Sequence, residues 1–324
     1  MYDYSIFERN RWSPDELKGL SFDILLSAFN DSERVRRVFE LLPATRKYWI
    51  LHEEYGYSST EIPDEPIWQT RSGESEIEMW QRCLGDLEID PNSRIAIDIT
   101  GMMRPHLLLL PLMLTKLGFN RATIFYSDPL SYLSGQETTF TEGPVERVAI
   151  VPGYAGVHRT ALDTLDCLIV GAGYDDQLVK AVAESKKAAE HYILVGLPGL
   201  QAHMYQESVF RISHARESIN EFRARSLLHA PANNPFMTAQ VLSDHLNEQR
   251  AKGRIDNVYL APVGPKSQVL GFAWYFLCEC VGTSTSIIFP YARRYSRETS
   301  VGLSAIHEYT LELDAIKTIF GSSA

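Results

Sequence analysis

No apolar stretch in this 324-residue chain is long enough to cross a bilayer: the longest, Leu107 to Leu114, falls far short of the roughly 20 residues needed. No membrane partner is expected. Nor is there an excess of positive charge. Thirty-one Lys and Arg face 41 Asp and Glu, a net charge of −10. This excludes a broad electrostatic footprint for duplex nucleic acid, although a local cationic pocket stays compatible with it. Cysteine is scarce. Cys83, Cys167, Cys278 and Cys280 show neither zinc-type nor disulfide-type spacing, which suits free thiols in a reducing compartment. In a helix Cys278 and Cys280 would point about 200° apart, so one metal cannot easily use both. The first residues, MYDYSIFERN, are not a basic segment followed by an apolar one, so no secretory leader is expected and the location is read as cytoplasmic.

Enzyme signatures are missing as well. There is no Walker loop, HExxH or GxSxG. Gly171-Ala172-Gly173 follows an apolar run but has no third glycine, so it reads as a tight strand–helix turn rather than a nicotinamide or flavin site. No metal and no resident cofactor are expected.

What the chain does have is a repeated order of parts. Phe22 to Phe29 reads as a strand. It runs into a helix in which Val35, Val38, Phe39 and Leu42 recur at helical spacing, and Lys47 to Tyr55 reads as a second strand. Ile95 to Ile99, a glycine turn, an apolar helix and Arg121 to Ser127 follow. The second half repeats this order: a strand at Leu165 to Gly171, a helix, a strand, then Ile255 to Pro262, a glycine turn, a helix and a strand ending near Tyr291. ILLSAFND resembles LIVGAGYD in pattern, with Leu168 144 residues after Ile24. Gly264 lies 163 residues after Gly101. Two copies with different insertions account for both offsets. The fold predicted is α/β: two pseudo-repeated Rossmann-like lobes with largely parallel sheets, over residues 1–143 and 144–324.

The stretch IDITGMMRPHLLLL, Ile97 to Leu110, carries the functional expectation. Ligands of open parallel sheets sit beyond the carboxyl ends of the strands. Gly101 ends such a strand, and a glycine there permits close approach of backbone or a positive-φ turn. Pro105 is pre-set for a helix start. The free amides of a first turn favour an anion, Arg104 adds a planar fork of donors suited to phosphate, and Thr100 offers a hydroxyl. The second copy offers Gly264, Lys266 and Ser267. Arg104 equally suits a salt bridge to Asp98 or Asp128, and Lys266 a solvated loop position; both readings stay open.

The strand–turn DITGMMRP is similar to the Thr-Gly-Gly-Thr-Lys turn of CARF domains (CRISPR-associated Rossmann fold), and two such units in one chain resemble SAVED domains. Asp98, Thr100 and Gly101 match in place. Met102 stands for the second glycine, Met103 for the second threonine and Arg104 for the lysine. In the second half Gly264 and Lys266 are kept at a spacing one residue shorter. The resemblance covers about a third of the chain. It implies binding of a cyclic oligonucleotide across a two-lobed cleft and a role as a second-messenger sensor in anti-phage defence. Without an effector domain of its own, such a sensor would act through a partner such as an ATPase or nuclease, or through a homo-oligomer.

In that reading Gly101, Arg104, Gly264 and Lys266 hold phosphate, with Thr100 and Ser267 beside them. Asn30, Asp31, Gly173, Tyr174 and Asp175 line the other loop of each half. Arg293 and Arg294, interleaved with Tyr291 and Tyr295 past a strand end, offer a stacking and phosphate patch. Asn30, Asp31, Asp175 and Asp176 equally suit helix caps. Two other classes remain: a metal-independent phosphodiesterase that opens the ring of such a ligand, and a scaffold subunit that binds none.

Overall fold

The structure, a computed structural model, describes residues 2–132, 141–158, 165–173, 175–201, 204–214, 227–253, 255–295, 297 and 300–316. In chain order the strands are β1 (Arg9–Trp12), β2 (Phe22–Ala28), β3 (Ala44–Leu51), β4 (Ile67–Gln69), β5 (Ile95–Asp98), β6 (Arg121–Asp128), β7 (Ser131–Tyr132), β8 (Thr141–Ile150), β9 (Leu165–Gly171), β10 (Glu190–Gly196), β11 (Leu227–Ala230), β12 (Ile255–Pro262), β13 (Thr285–Tyr295), β14 (Ser300–Val301) and β15 (Ala305–Glu312). The α-helices are α1 (Glu33–Leu41), α2 (Glu76–Asp86), α3 (Arg104–Lys116), α4 (Asp176–Ser185), α5 (Met204–His214), α6 (Pro235–Ala251) and α7 (Lys266–Tyr275).

Two Rossmann-like lobes result. The first is built on the order β1-β15-β6-β5-β2-β3-β4, the second on β11-β10-β9-β12-β13-β8. In the first, β2 pairs in parallel with β3 and β5, β3 with β4, and β5 with β6. In the second, β9 pairs in parallel with β10 and β12, β10 with β11, and β12 with β13. The arrangement β4-β3-β2-β5-β6 is thus repeated as β11-β10-β9-β12-β13. This shared order is what the sequence repeat predicts. Each sheet has its switch point where the chain reverses direction across the sheet, between β2 and β5 and between β9 and β12.

The lobe boundary is not the single cut at 143/144 that the sequence order suggested. The first lobe comprises Phe7–Thr138 with Arg294–Ala324, the second Met1–Ile6 with Thr139–Arg293. The cause is β15. It pairs antiparallel with β6 from Ala305↔Asp128 to Glu312↔Arg121, and β1 pairs antiparallel with β15. These additions cover the edge that β6 would otherwise leave open. At the chain start, Tyr4 is buried in the second lobe, donating its hydroxyl to Glu279 at 3.0 Å.

Local sequence explains the helices. Ser75 and Glu78 form a reciprocal capping box at the start of α2. Asn234 Oδ1 accepts from the amides of Phe236 and Met237 to start α6, with Pro235 at its first position. α3 is buried on all sides, from Arg104 through Thr115, so its apolar run packs in the core. Phe39 stacks on Trp49 with ring centroids 3.7 Å apart, joining α1 to β3. One sequence reading was too coarse: β3 ends at Leu51 rather than Tyr55, and β4 follows before α2. No helix among the described residues is long and apolar enough to cross a membrane.

Candidate functional site

In the first lobe the ends of β2, β5 and β6 meet in a buried polar network. Asp98 is fully buried. Its Oδ2 accepts from Ser27 Oγ at 2.9 Å, and its Oδ1 accepts from Thr100 N at 2.9 Å and Thr100 Oγ1 at 2.6 Å. Thr100 Oγ1 in turn accepts from Ser127 N at 3.0 Å and lies 3.1 Å from Ser127 Oγ. These bonds hold a carboxylate that would be costly to bury without them. They also give the Thr100 hydroxyl an internal role: it locks β5 to β6.

Gly101 is likewise explained from within. A Cβ there would lie 2.0 Å from the Ala28 carbonyl oxygen and 3.1 Å from Asn30 Cβ. The close approach is to the end of β2, and the Gly101 carbonyl accepts from Tyr55 OH at 3.0 Å. Asn30 is buried; its Oδ1 accepts from Ser32 N at 2.8 Å and its Nδ2 donates to the Arg297 carbonyl. Asp31 is half-buried and pairs with Arg36 at 3.4 Å. Asp128 is held by His307, Oδ2 to Nε2 at 2.6 Å. Arg104 opens α3 and is only 8% exposed. Asn30, Thr100, Gly101 and Arg104 thus share the switch-point end of the sheet, but the first three serve the protein's own hydrogen bonds and packing.

The second lobe builds the matching corner differently. Gly173 and Gly264 face each other: a Cβ on Gly173 would meet Val263 O at 3.0 Å and Gly264 Cα at 3.1 Å, and one on Gly264 would meet Ala172 O at 3.0 Å. These two glycines bring the ends of β9 and β12 together as Gly101 does for β2 and β5. Asp175 is buried as the N-cap of α4, accepting from Leu178 N at 3.3 Å. Its capping reading is the one the geometry bears out, and Asp175→Ala is expected to lower stability by about 1 kcal/mol, measured by chemical denaturation. Lys266 opens α7 and is half-buried. Ser267 is fully buried and donates to the Ala232 carbonyl, so its hydroxyl ties α7 to the loop after β11. Beside it Gln268 Nε2 donates to Ala230 O at 3.2 Å, while its Oε1 is buried with no hydrogen-bond partner among the described residues. Tyr174 and the side chains of Arg293 and Arg294 lie outside the described residues; the backbone of both arginines belongs to β13.

Sequence reasoning passed over several residues that build the first crevice. Ser27 and Ser127 are the polar members of otherwise apolar strands, and that was a usable signal. Arg34, only 7% exposed, lies on the buried stripe of α1 with Val35 and Val38. Arg297 and Ser300 could not be placed there from sequence, because they arrive from more than 260 residues away. Buried histidines were also missed as a pair: the rings of His52 and His106 are 4.7 Å apart. Burial holds His106 down to a pKa of about 4. All four cysteines are buried and unpaired with one another. Burial pushes the thiol of Cys280 up to about 11 and those of Cys83, Cys167 and Cys278 higher still, so none is a ready nucleophile. Among the described residues no group of three or more His, Cys, Asp or Glu side chains is placed to hold a metal.

No protein-family profile and no curated protein matches the chain. Among solved structures it is similar to CobK precorrin-6A reductase at 10% identity with a TM-score of 0.24, over 92% of this chain and 96% of that one. A likeness that low carries no argument here.

Proposed function

We propose that the chain binds a phosphorylated nucleotide at the strand-end crevices of its Rossmann-like lobes, as a sensor whose output passes through a partner protein or an oligomer. One observation carries the reading. In each lobe a cation occupies the first position of the helix that follows the switch-point strand: Arg104 on α3 and Lys266 on α7. Both stand where helix amides and a fixed positive charge favour the same anion. The repetition of this arrangement on two copies of one sheet order favours a common ligand chemistry over two unrelated helix-start cations. The narrower reading, a cyclic oligonucleotide messenger in a defence system, rests on the resemblance of DITGMMRP and of the duplicated architecture to CARF and SAVED domains.

The test is a titration of the whole chain with a panel of cyclic and linear oligonucleotides, followed by mass spectrometry of the recovered ligand. Retained, intact ligand supports the sensor. Linear products would replace it with a phosphodiesterase. No binding by any member would leave a scaffold. Arg104→Gln is expected to weaken binding by about 1.5–3 kcal/mol, the range for a hydrogen bond to a charged group. Unchanged titration curves for that variant would remove Arg104 from the site.

A further inference from the structure

A guanidinium is buried in the first lobe without a counter-charge among the described residues. Arg34, on the first turn of α1, is only 7% exposed. Its Nε donates to Ser300 Oγ at 3.1 Å and its Nη1 to the Ser127 carbonyl, and its charge lies 6.0 Å from the centre of the Tyr126 ring. Both hydrogen-bond acceptors are neutral. Among the described residues no carboxylate forms an ion pair with Arg34. A guanidinium carries five N–H donors in a planar fork shaped for an oxyanion, and burying one against neutral oxygens alone is unfavourable. Asp128, the nearest buried carboxylate in sequence to its partner Ser127, is turned to His307 instead.

The group that caps Arg34 lies in a strand of two residues. Ser300 lies in β14, which pairs with β7 as Ser300↔Tyr132 and Val301↔Ser131. Its hydroxyl lies 3.1 Å from both Arg34 Nε and Ser32 Oγ. Ser300 and Val301 also line an open cavity of about 330 Å³ whose other walls are Asp31, Glu33, Arg36, Arg37 and Glu40. Asp31 is tied to Arg36. The cavity is thus lined by Ser300, whose buried hydroxyl lies against the Arg34 guanidinium, and by three carboxylates and two further guanidiniums.

We infer that Arg34 is the receiving group of an oxyanion site in which a phosphate takes the place now filled by the Ser300 hydroxyl, with Ser32 Oγ donating to it. The walls narrow the ligand. Arg37 favours an anion, while Glu33 and Glu40 oppose a bare polyanion but accept hydrogen bonds from hydroxyls, so the chemistry that fits is a phosphate monoester on a hydroxylated carrier such as a ribose. The site is distinct from the corners at Arg104 and Lys266. It rests on the nucleotide reading only for the carrier of the phosphate.

The probes are inorganic phosphate and adenosine monophosphate, read by thermal shift and calorimetry on the full chain. The wild-type midpoint is expected to rise with phosphate, and adenosine monophosphate to bind at least tenfold more tightly than phosphate. Arg34→Gln should weaken both at least tenfold. Because removing a buried side chain can also unfold the lobe, Ser300→Asp is the decisive variant. It supplies a counter-charge, so it should raise the midpoint in phosphate-free buffer and abolish the phosphate response that persists in an Arg104→Gln/Lys266→Gln background. A Ser300→Asp protein that is less stable than wild type and still responds to phosphate would overturn the inference. Nucleotide binding that is weakened by Arg104→Gln but untouched by both Arg34→Gln and Ser300→Asp would also overturn it while leaving the proposed function standing. A phosphate response lost in Ser300→Asp, with no nucleotide bound by the wild type, would support the oxyanion site and overturn both its ribose carrier and the nucleotide reading.

Discussion

Gly101→Ala is expected to destabilise the first lobe by about 3 kcal/mol or more, at the upper end of what overpacking a rigid site costs. The new Cβ would lie 2.0 Å from the Ala28 carbonyl oxygen and 3.0 Å from its carbon. Both are backbone atoms in a strand hydrogen-bonded on both sides, through β3 and β5, so no side chain can swing away to make room. Relief requires moving the β5–α3 corner, and that would disturb the bonds of Thr100 to Asp98 and Ser127. Gly264→Ala, whose nearest contact would be 3.0 Å, should cost less. Denaturant melts of the two variants check the ranking. A Gly101→Ala protein as stable as wild type would show that the corner has slack the structure does not contain.

Acidification is expected to cost the first lobe about 3 kcal/mol between pH 7 and pH 4 through one side chain. Burial holds His106 to a folded pKa of about 4, against about 6.5 in an unfolded chain. The unfolded state therefore binds the proton first as pH falls. The stability that neutral His106 contributes is complete above about pH 6.5 and is lost progressively down to about pH 4. The magnitude follows from 1.36 kcal/mol per unit of difference. Its ring lies 4.7 Å from that of His52 and its Nδ1 is buried with no hydrogen-bond partner among the described residues, so a second proton would find no acceptor there. Unfolding free energies measured at pH 7, 6, 5 and 4 should slope less steeply in His106→Gln. An identical slope in the variant would assign the acid sensitivity to other groups.

The repeat was legible because its signals are local. Apolar strands of five to eight residues, a glycine where each switch-point strand ends, and a helix start after it recur in both halves, and they fix βαβ connectivity with little else. The glycine corners, and the close approach of backbone at them, were legible, but the neighbour that comes close was not. Sequence could say that Gly101, Gly173 and Gly264 stand where something comes close. It could not say that the neighbour is Ala28 in one lobe and a second glycine in the other. Thr100 and Ser267 show the same limit: a hydroxyl beside a glycine turn looks like a ligand donor until the partner strand or loop is in place. Asp175 and Asn234 were readable as caps because a cap's partner lies two or three residues away.

The sequence by itself determined the element types, the duplicated order β, α, β, glycine turn, α, β, and the positions of Arg104 and Lys266 at helix starts. All of these follow from hydrophobic period and turn chemistry within windows of about twenty residues. Tertiary structure alone decided where the chain's ends go and what closes the first crevice. The antiparallel pairing of β15 with β6 and the reach of Arg297 and Ser300 to Asn30, Ser32 and Arg34 all join residues more than 170 positions apart. No local pattern encodes such pairings, because they form only when a whole sheet edge offers its unpaired backbone groups to whichever distant strand can satisfy them.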